Sequence, residues 1–149
     1  MTPVVDDLFR DRIFCICTPE NESAQMFRNI LVFVGGGIGA VFRYVLSGWV
    51  YRVVGTDFPY GTLAVNVIGC FVIGLFLSMA EDRFLISPSF RIFFAVGVIG
   101  GFTTFSTFSF ETVGLLRDGA IAIGLLNVVV SIVVGLAATW VGTLAGRLI

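Results

Sequence analysis

The 149-residue chain has no histidine, and all nine of its basic residues are arginine. Without histidine there is no bis-histidine haem ligation, no histidine metal site and no Ser-His catalytic pair. The net charge is −1 and no basic tract is present, so nucleic acid is not an expected partner. Only three cysteines occur, Cys15, Cys17 and Cys70, and they have no disulfide-framework spacing. Cys15-Ile16-Cys17 alone is thin support for a metal site, and Cys70, inside an apolar segment, reads as a small packing residue. No ATP-binding motif, redox-cofactor motif or catalytic dyad is present. No apolar h-region opens the chain, so a signal peptide is not expected.

Charge of either sign is scarce, at 13% of residues, where a soluble domain carries about 25%. The deficit sits in four runs. Ile30 to Tyr51 carries one charge, Arg43; Phe58 to Ala80, Ile92 to Phe110 and Ala120 to Gly146 carry none. Each run meets the roughly 20 apolar residues that a bilayer-spanning helix needs. They are too long and continuous for barrel strands, and only helices or closed barrels satisfy their backbone within lipid. The expectation is an all-α integral membrane protein with four transmembrane helices, at about 29–49, 59–79, 89–116 and 120–144. The third is expected to be broken.

Residues 1–28 form a polar N-terminal extension, expected to be disordered or loosely helical and dispensable, with Met26 as a natural start. Residues 29–149 form the membrane domain. Arg28, Arg83, Arg91 and Arg147 fall near helix ends on one face, and Arg52 and Arg117 on the other. That is a weak positive-inside bias. It is compatible with ordinary N-in topology or with insertion both ways up, in which case two opposed copies would mimic an inverted repeat.

Polar groups within a bilayer are costly and each needs a reason. Asn66 lies eight residues into the second run; its amide suits either an interhelical hydrogen bond or donation to an anion. In the fourth run Asn127, Ser131, Gly135, Thr139 and Thr143 recur every four residues, a stripe fit for tight packing or for a polar ion track. Arg43 either snorkels to an interface or lends positive potential to a vestibule, with Asp57 or Glu111 as possible partners. Gly35 with Gly39, and Gly36 with Ala40, are spaced for close helix approach. Tyr44, Trp49 and Tyr51 suit an interfacial aromatic belt.

The segment GGFTTFSTFSFE, residues 100–111, is unlike a plain anchor. Gly100-Gly101 and Thr103-Thr104 weaken a helix by propensity. A break there would free backbone groups, which at membrane depth is tolerated only inside protein or beside a water-filled path. Phe102, Phe105 and Phe108 are three apart and would share a face of a continuous helix. Phenylalanine ring edges are electropositive, so such a face could line an anion path opposite hydroxyl or amide donors.

Together with GTLAVNVIG at 61–69 and GGGIGAVFRY at 35–44, this segment resembles the Fluc/CrcB fluoride channel family, over about Phe27 to Ile149. The resemblance implies a dual-topology antiparallel homodimer in the cell membrane with two fluoride pores. It also implies a structural sodium ion at the dimer centre, held by carbonyls matching Gly100 and Thr103 from each subunit. Asn66, Phe105, Phe108 and Ser131 match pore residues; Thr62 and Ser106 are nearby pore hydroxyl candidates; Arg43 and Glu111 match the family's first-helix arginine and the acid after the motif. Asn127 stands where some members have an aromatic residue or histidine, and Gly135 where another track hydroxyl is expected. A proton-coupled exporter of the small multidrug-resistance type is the alternative, but it needs a carboxylate in the first helix, where this chain has Arg43. A purely structural subunit would explain the stripes and leave the motif unexplained.

Overall fold

The computed structural model describes residues 21–82 and 86–148, and they form helices joined by short links. The first span is α1, Glu22–Val54, and the second is α2, Tyr60–Asp82. The third is composite: a short α3, Pro88–Arg91, then a π-helical stretch, Ile92–Ile99, then α4, Gly100–Phe102, and α5, Phe105–Arg117. The fourth span is α6, Ile121–Leu148. All four are long and apolar enough to cross a membrane, and the chain is a multi-pass membrane protein. The Cys15–Cys17 pair and Arg83 lie outside the described residues.

Each span outruns the length its apolar core suggested. The largest difference is in α1, which starts at Glu22 rather than near Asn29, so residues 22–28 are continuous with the membrane helix. At 1.5 Å per residue α1 is about 50 Å long, against a hydrocarbon core of about 30 Å. It stops at Gly55, whose φ of 99° belongs to the left-handed region and whose N–H bonds the Tyr51 carbonyl at 3.0 Å. The third span begins with Pro88 in its first turn, where a missing N–H costs nothing, and the Ser87 hydroxyl accepts from Phe90 N–H at 3.3 Å. The Arg91 guanidinium donates to the Ala80 carbonyl at the end of α2, a favourable place for a cation beside a helix C-terminus.

Two glycine seams hold the spans together. On α1, Gly35 and Gly39 press against the third span: a Cβ on Gly39 would collide with the Val98 carbonyl and lie 2.8 Å from Phe102 N. The expected Gly35/Gly39 spacing therefore does serve close approach. Gly101 abuts the same helix from the other side, 2.9 Å from Gly36 Cα if it carried a Cβ. Between α2 and α6, Gly74 faces the Thr139 carbonyl, Gly142 the Phe71 carbonyl and Gly146 the Leu75 carbonyl and Ser78. Phe71 meets Gly142 and Leu75 meets Gly146, one turn further along both helices, so α2 and α6 lie parallel.

The exposed surface is apolar; Phe33, for example, is 82% exposed. Glycine and proline aside, the buried set among the described residues is small and half polar: Val65, Phe76, Ala80, Ile99 and Phe102 beside Thr62, Ser78, Thr104, Thr112 and Asn127. In lipid the apolar surface needs no burial, and it is the polar groups that need partners.

Candidate functional site

The third span breaks at two residues. Thr103 (φ −78°, ψ 157°) and Thr104 (φ −150°, ψ 115°) are extended, while Gly100 to Phe102 remain helical. The threonine pair, not the glycine pair, opens the helix. β-branching lowers helix propensity, and a hydroxyl can take over backbone partners. Both effects are visible: the Thr103 hydroxyl donates to the Ile99 carbonyl at 3.1 Å, and the Thr104 hydroxyl caps α5 by accepting from Thr107 N–H at 3.3 Å.

Two residues from other spans hold the break open. The Asn66 side chain pairs with Thr104 in both directions, its Nδ2 donating to the carbonyl at 3.0 Å and its Oδ1 accepting the N–H at 2.8 Å. An amide carries a donor and an acceptor side by side, as a peptide group does, and so can replace a peptide partner on both sides. Arg43 Nη1 donates to the Thr103 carbonyl at 3.3 Å. The partner of Arg43 is thus a freed carbonyl and neither Asp57 nor Glu111.

The break opens onto an open-sided cavity of about 450 Å³. Asn66, Gly69, Cys70 and Ile73 of α2 form one wall; Ile99, Gly100, Thr103, Thr104, Phe105 and Phe108 form another; Ser131 and Ile132 of α6 close it. The Phe105 and Phe108 rings lie 5.5 Å apart at 47°. Phe105 is 79% exposed, whereas Phe102 is buried. Phe102 therefore does not share a face with the other two, because the break reorients the chain between them. Cys70 also lines this cavity, and its Sγ lies 3.6 Å from where a Cβ on Gly135 would stand.

A second polar cluster lies closer to one membrane face. Glu111 Oε1 accepts from Tyr51 Oη and from Thr62 Oγ1, both at 2.9 Å, and its Oε2 is buried without a partner. Glu111 also borders a separate cavity of about 340 Å³ with Tyr51, Asp57 and Asp118. Thr62 and Glu111 are thus together, but neither lines the larger cavity. Tyr51 was missed as a site residue. A tyrosine near a helix end reads as interfacial belt, and only the approach of Glu111, 60 residues on, gives its hydroxyl a task. Ser106 is exposed at the start of α5, 3.3 Å from the Thr104 hydroxyl.

The α6 stripe divides. Ser131 faces the larger cavity. Asn127 stands behind it, 1% exposed, donating to Thr112 Oγ1 at 2.8 Å and accepting from Ser131 Oγ at 3.4 Å. Further along, Thr139 and Thr143 bond the carbonyls four residues back, at 3.1 and 2.9 Å, within the seam against α2.

Four spans, a break in the third and a cavity lined by an amide, hydroxyls and two phenylalanines define a small multi-pass membrane protein built around an interrupted helix. The family model described as "CrcB-like protein, Camphor Resistance (CrcB)" matches residues 30–143, and the chain belongs to that family. It is similar to the "Fluoride-specific ion channel FluC" of Citrifermentans bemidjiense, 51% identical over 119 residues, or 78% of this chain and 96% of that one. The protein of the same name from Geotalea daltonii is 50% identical over 121 residues, covering 80% and 98%. That from Agrobacterium fabrum is 44% identical over 122 residues, covering 82% and 98%.

Proposed function

We propose that this chain forms a passive, fluoride-selective channel in the cell membrane, carrying cytoplasmic fluoride outward and so conferring fluoride resistance. The observation that carries the reading is the convergence of Asn66, Ser131, Phe105 and Phe108 on one cavity beside the break. Asn66 spends one Nδ2 hydrogen on Thr104 and keeps a second for an anion. Ser131 offers a hydroxyl. The rings offer electropositive edges, which attract an anion without holding it as firmly as a fixed cation would. Conduction requires such moderate, successive contacts. Arg43, hydrogen-bonded beneath the break, supplies positive potential at the same depth.

The fluoride path runs along Asn66, Phe105, Phe108 and Ser131 and continues toward the Thr62–Glu111 end, with Asn127 behind Ser131 and Ser106 beside the break. Neutral HF crosses membranes and dissociates in a less acidic cytoplasm, trapping fluoride. The membrane potential then drives the anion out, by about 2.3 kcal/mol per 100 mV for one charge. The protein's task is conduction, with no bond made or broken, so the reading is of a channel and not an enzyme.

The complete channel is an antiparallel homodimer of two inverted copies with two pores, and residues 29–149 suffice for it. The Gly100 and Thr103 carbonyls fit a sodium ion at the dimer centre. The N–H that an unbroken helix returns to Gly100 is bonded to Asn66 instead, at 2.8 Å, and the Thr107 N–H that Thr103 would receive goes to the Thr104 hydroxyl, at 3.3 Å. Both carbonyls are therefore released from the helical ladder. The Thr103 oxygen also receives Arg43, which a sodium ion would have to share. When bound, the ion would supply a fixed charge joining the two broken spans.

The test is fluoride efflux from liposomes carrying the purified protein, with valinomycin clamping the potential and chloride as the parallel ion. Rapid voltage-driven fluoride release with little chloride release is expected. Equal release of both ions, or none from intact dimers, would overturn the reading.

A further inference from the structure

Asn127 occupies a position that the path as drawn does not use. It is 1% exposed and absent from the cavity wall, yet both ends of its amide are engaged. The chemistry of the donors fixes the direction of each bond. Nδ2 can only donate, so Thr112 Oγ1 accepts from it, at 2.8 Å. The single Thr112 hydroxyl proton is then directed to the Phe108 carbonyl, at 2.7 Å. At the other end Oδ1 can only accept, so the Ser131 proton points to it, across a long 3.4 Å. One buried amide thus links the backbone that carries Phe108, on α5, to the hydroxyl of Ser131, on α6. These two side chains stand on different walls of the same cavity.

We infer that Asn127 and Thr112 are a positioning pair: through the Phe108 carbonyl and the Ser131 hydroxyl they set the distance and orientation between the ring edge and the hydroxyl that an anion meets. The long Ser131 bond is the adjustable part. With the cavity empty the Ser131 proton rests on Asn127; when an anion arrives it turns inward at the cost of one weak contact. The short Thr112 bonds are the rigid part and hold Phe108 in register. A threonine bonding the carbonyl four residues back is common in helices. The distinguishing feature is that the fully buried Asn127 orients this one from another span.

The inference rests on the fluoride-channel reading, and three variants separate the two. Thr112→Val removes the hydroxyl while keeping shape, Thr112→Ser restores it, and Thr112→Val with Asn127→Leu replaces both polar partners by apolar ones. Fluoride efflux, the fluoride-to-chloride ratio and the melting temperature in detergent are measured for each. The expected result is Thr112→Ser near the parent rate and Thr112→Val slower by about tenfold, equivalent to about 1.4 kcal/mol. The double variant should regain most of the parent melting temperature, since neither member of the buried Asn127–Thr112 pair is left without the other and only the long Ser131 bond is lost, yet keep the low rate and an altered halide ratio. Recovery of the parent rate by the double variant would reduce the pair to packing and overturn the inference, as would an unslowed Thr112→Val. A parent protein that releases no fluoride overturns the channel reading itself and takes this inference with it.

Discussion

The two halves of α6 carry the same spacing of small and polar residues and do different things. Asn127 faces α5 and Ser131 the cavity, and their side-chain polar atoms bond other side chains. Gly135, Thr139 and Thr143 belong to the seam with α2, where the threonine hydroxyls turn back onto their own helix and the approach is set by Gly74, Gly142 and Gly146. A four-residue repeat of such residues, read alone, says only that the helix has a special face. What that face does depends on what lies opposite. Against a bent helix that leaves a cavity, the stripe becomes a polar wall. Against a straight parallel helix with matching glycines, it becomes a contact.

The contrast is open to direct attack. The largest effect is expected from Gly142→Leu in the seam, because a Cβ there already meets the Phe71 carbonyl and lies 3.0 Å from Leu75 N. Backbone cannot yield as a flexible side chain can, so the cost goes beyond the roughly 1–3 kcal/mol usual for added methylenes and is expected to prevent assembly of the fold. Loss of the folded species by size-exclusion chromatography would register it, and full recovery of folded protein would mean the seam is looser than described. Asn66→Ala comes next. It leaves the Thr104 N–H and carbonyl without Asn66 at membrane depth, an expected loss of about 2–4 kcal/mol, with a lower melting temperature and little fluoride flux. An unchanged melting temperature would show that the break does not depend on that amide.

Phe108→Ile should separate conduction from assembly: flux falls by about 100-fold, near 2.7 kcal/mol of barrier, while the protein elutes and melts as the parent does. Near-normal flux from a well-folded variant would remove the ring edge from the path. The smallest effect is expected from Thr143→Val. Its hydroxyl bonds only a carbonyl of its own helix, so stability and flux should stay within about 0.5 kcal/mol of the parent. A strong loss of flux would restore Thr143 to a polar track and erase the distinction between the halves.

The elements readable in advance and those that were not differ in kind. The four spans, the Gly35/Gly39 approach and a break somewhere within Gly100–Thr104 were all visible in the residues; that the threonines and not the glycines open it was not. The early start of α1 was not, because residues 22–28 are polar and no apolar periodicity marks them as helix. Nor was the π-helical stretch at Ile92–Ile99, whose residues are ordinary membrane types. The shared face expected of Phe102, Phe105 and Phe108 assumed a continuous helix and failed where the helix stops. Tyr51 escaped notice because its role depends on Glu111 and Thr62, which no local pattern ties to it.

What the sequence determined by itself follows from energies that are local. Transfer of about 20 apolar residues into lipid is a property of each segment, and so is the reluctance of adjacent threonines to stay helical. These give the number of spans and the neighbourhood of the break. Only the tertiary structure decided that Asn66 clamps Thr104 from 38 residues away, that Arg43 answers the Thr103 carbonyl from 60, and that Asn127 serves Thr112 and Ser131. In a bilayer core, buried polar groups must find partners within the protein. Which partner each one finds is set by where the other spans come to rest.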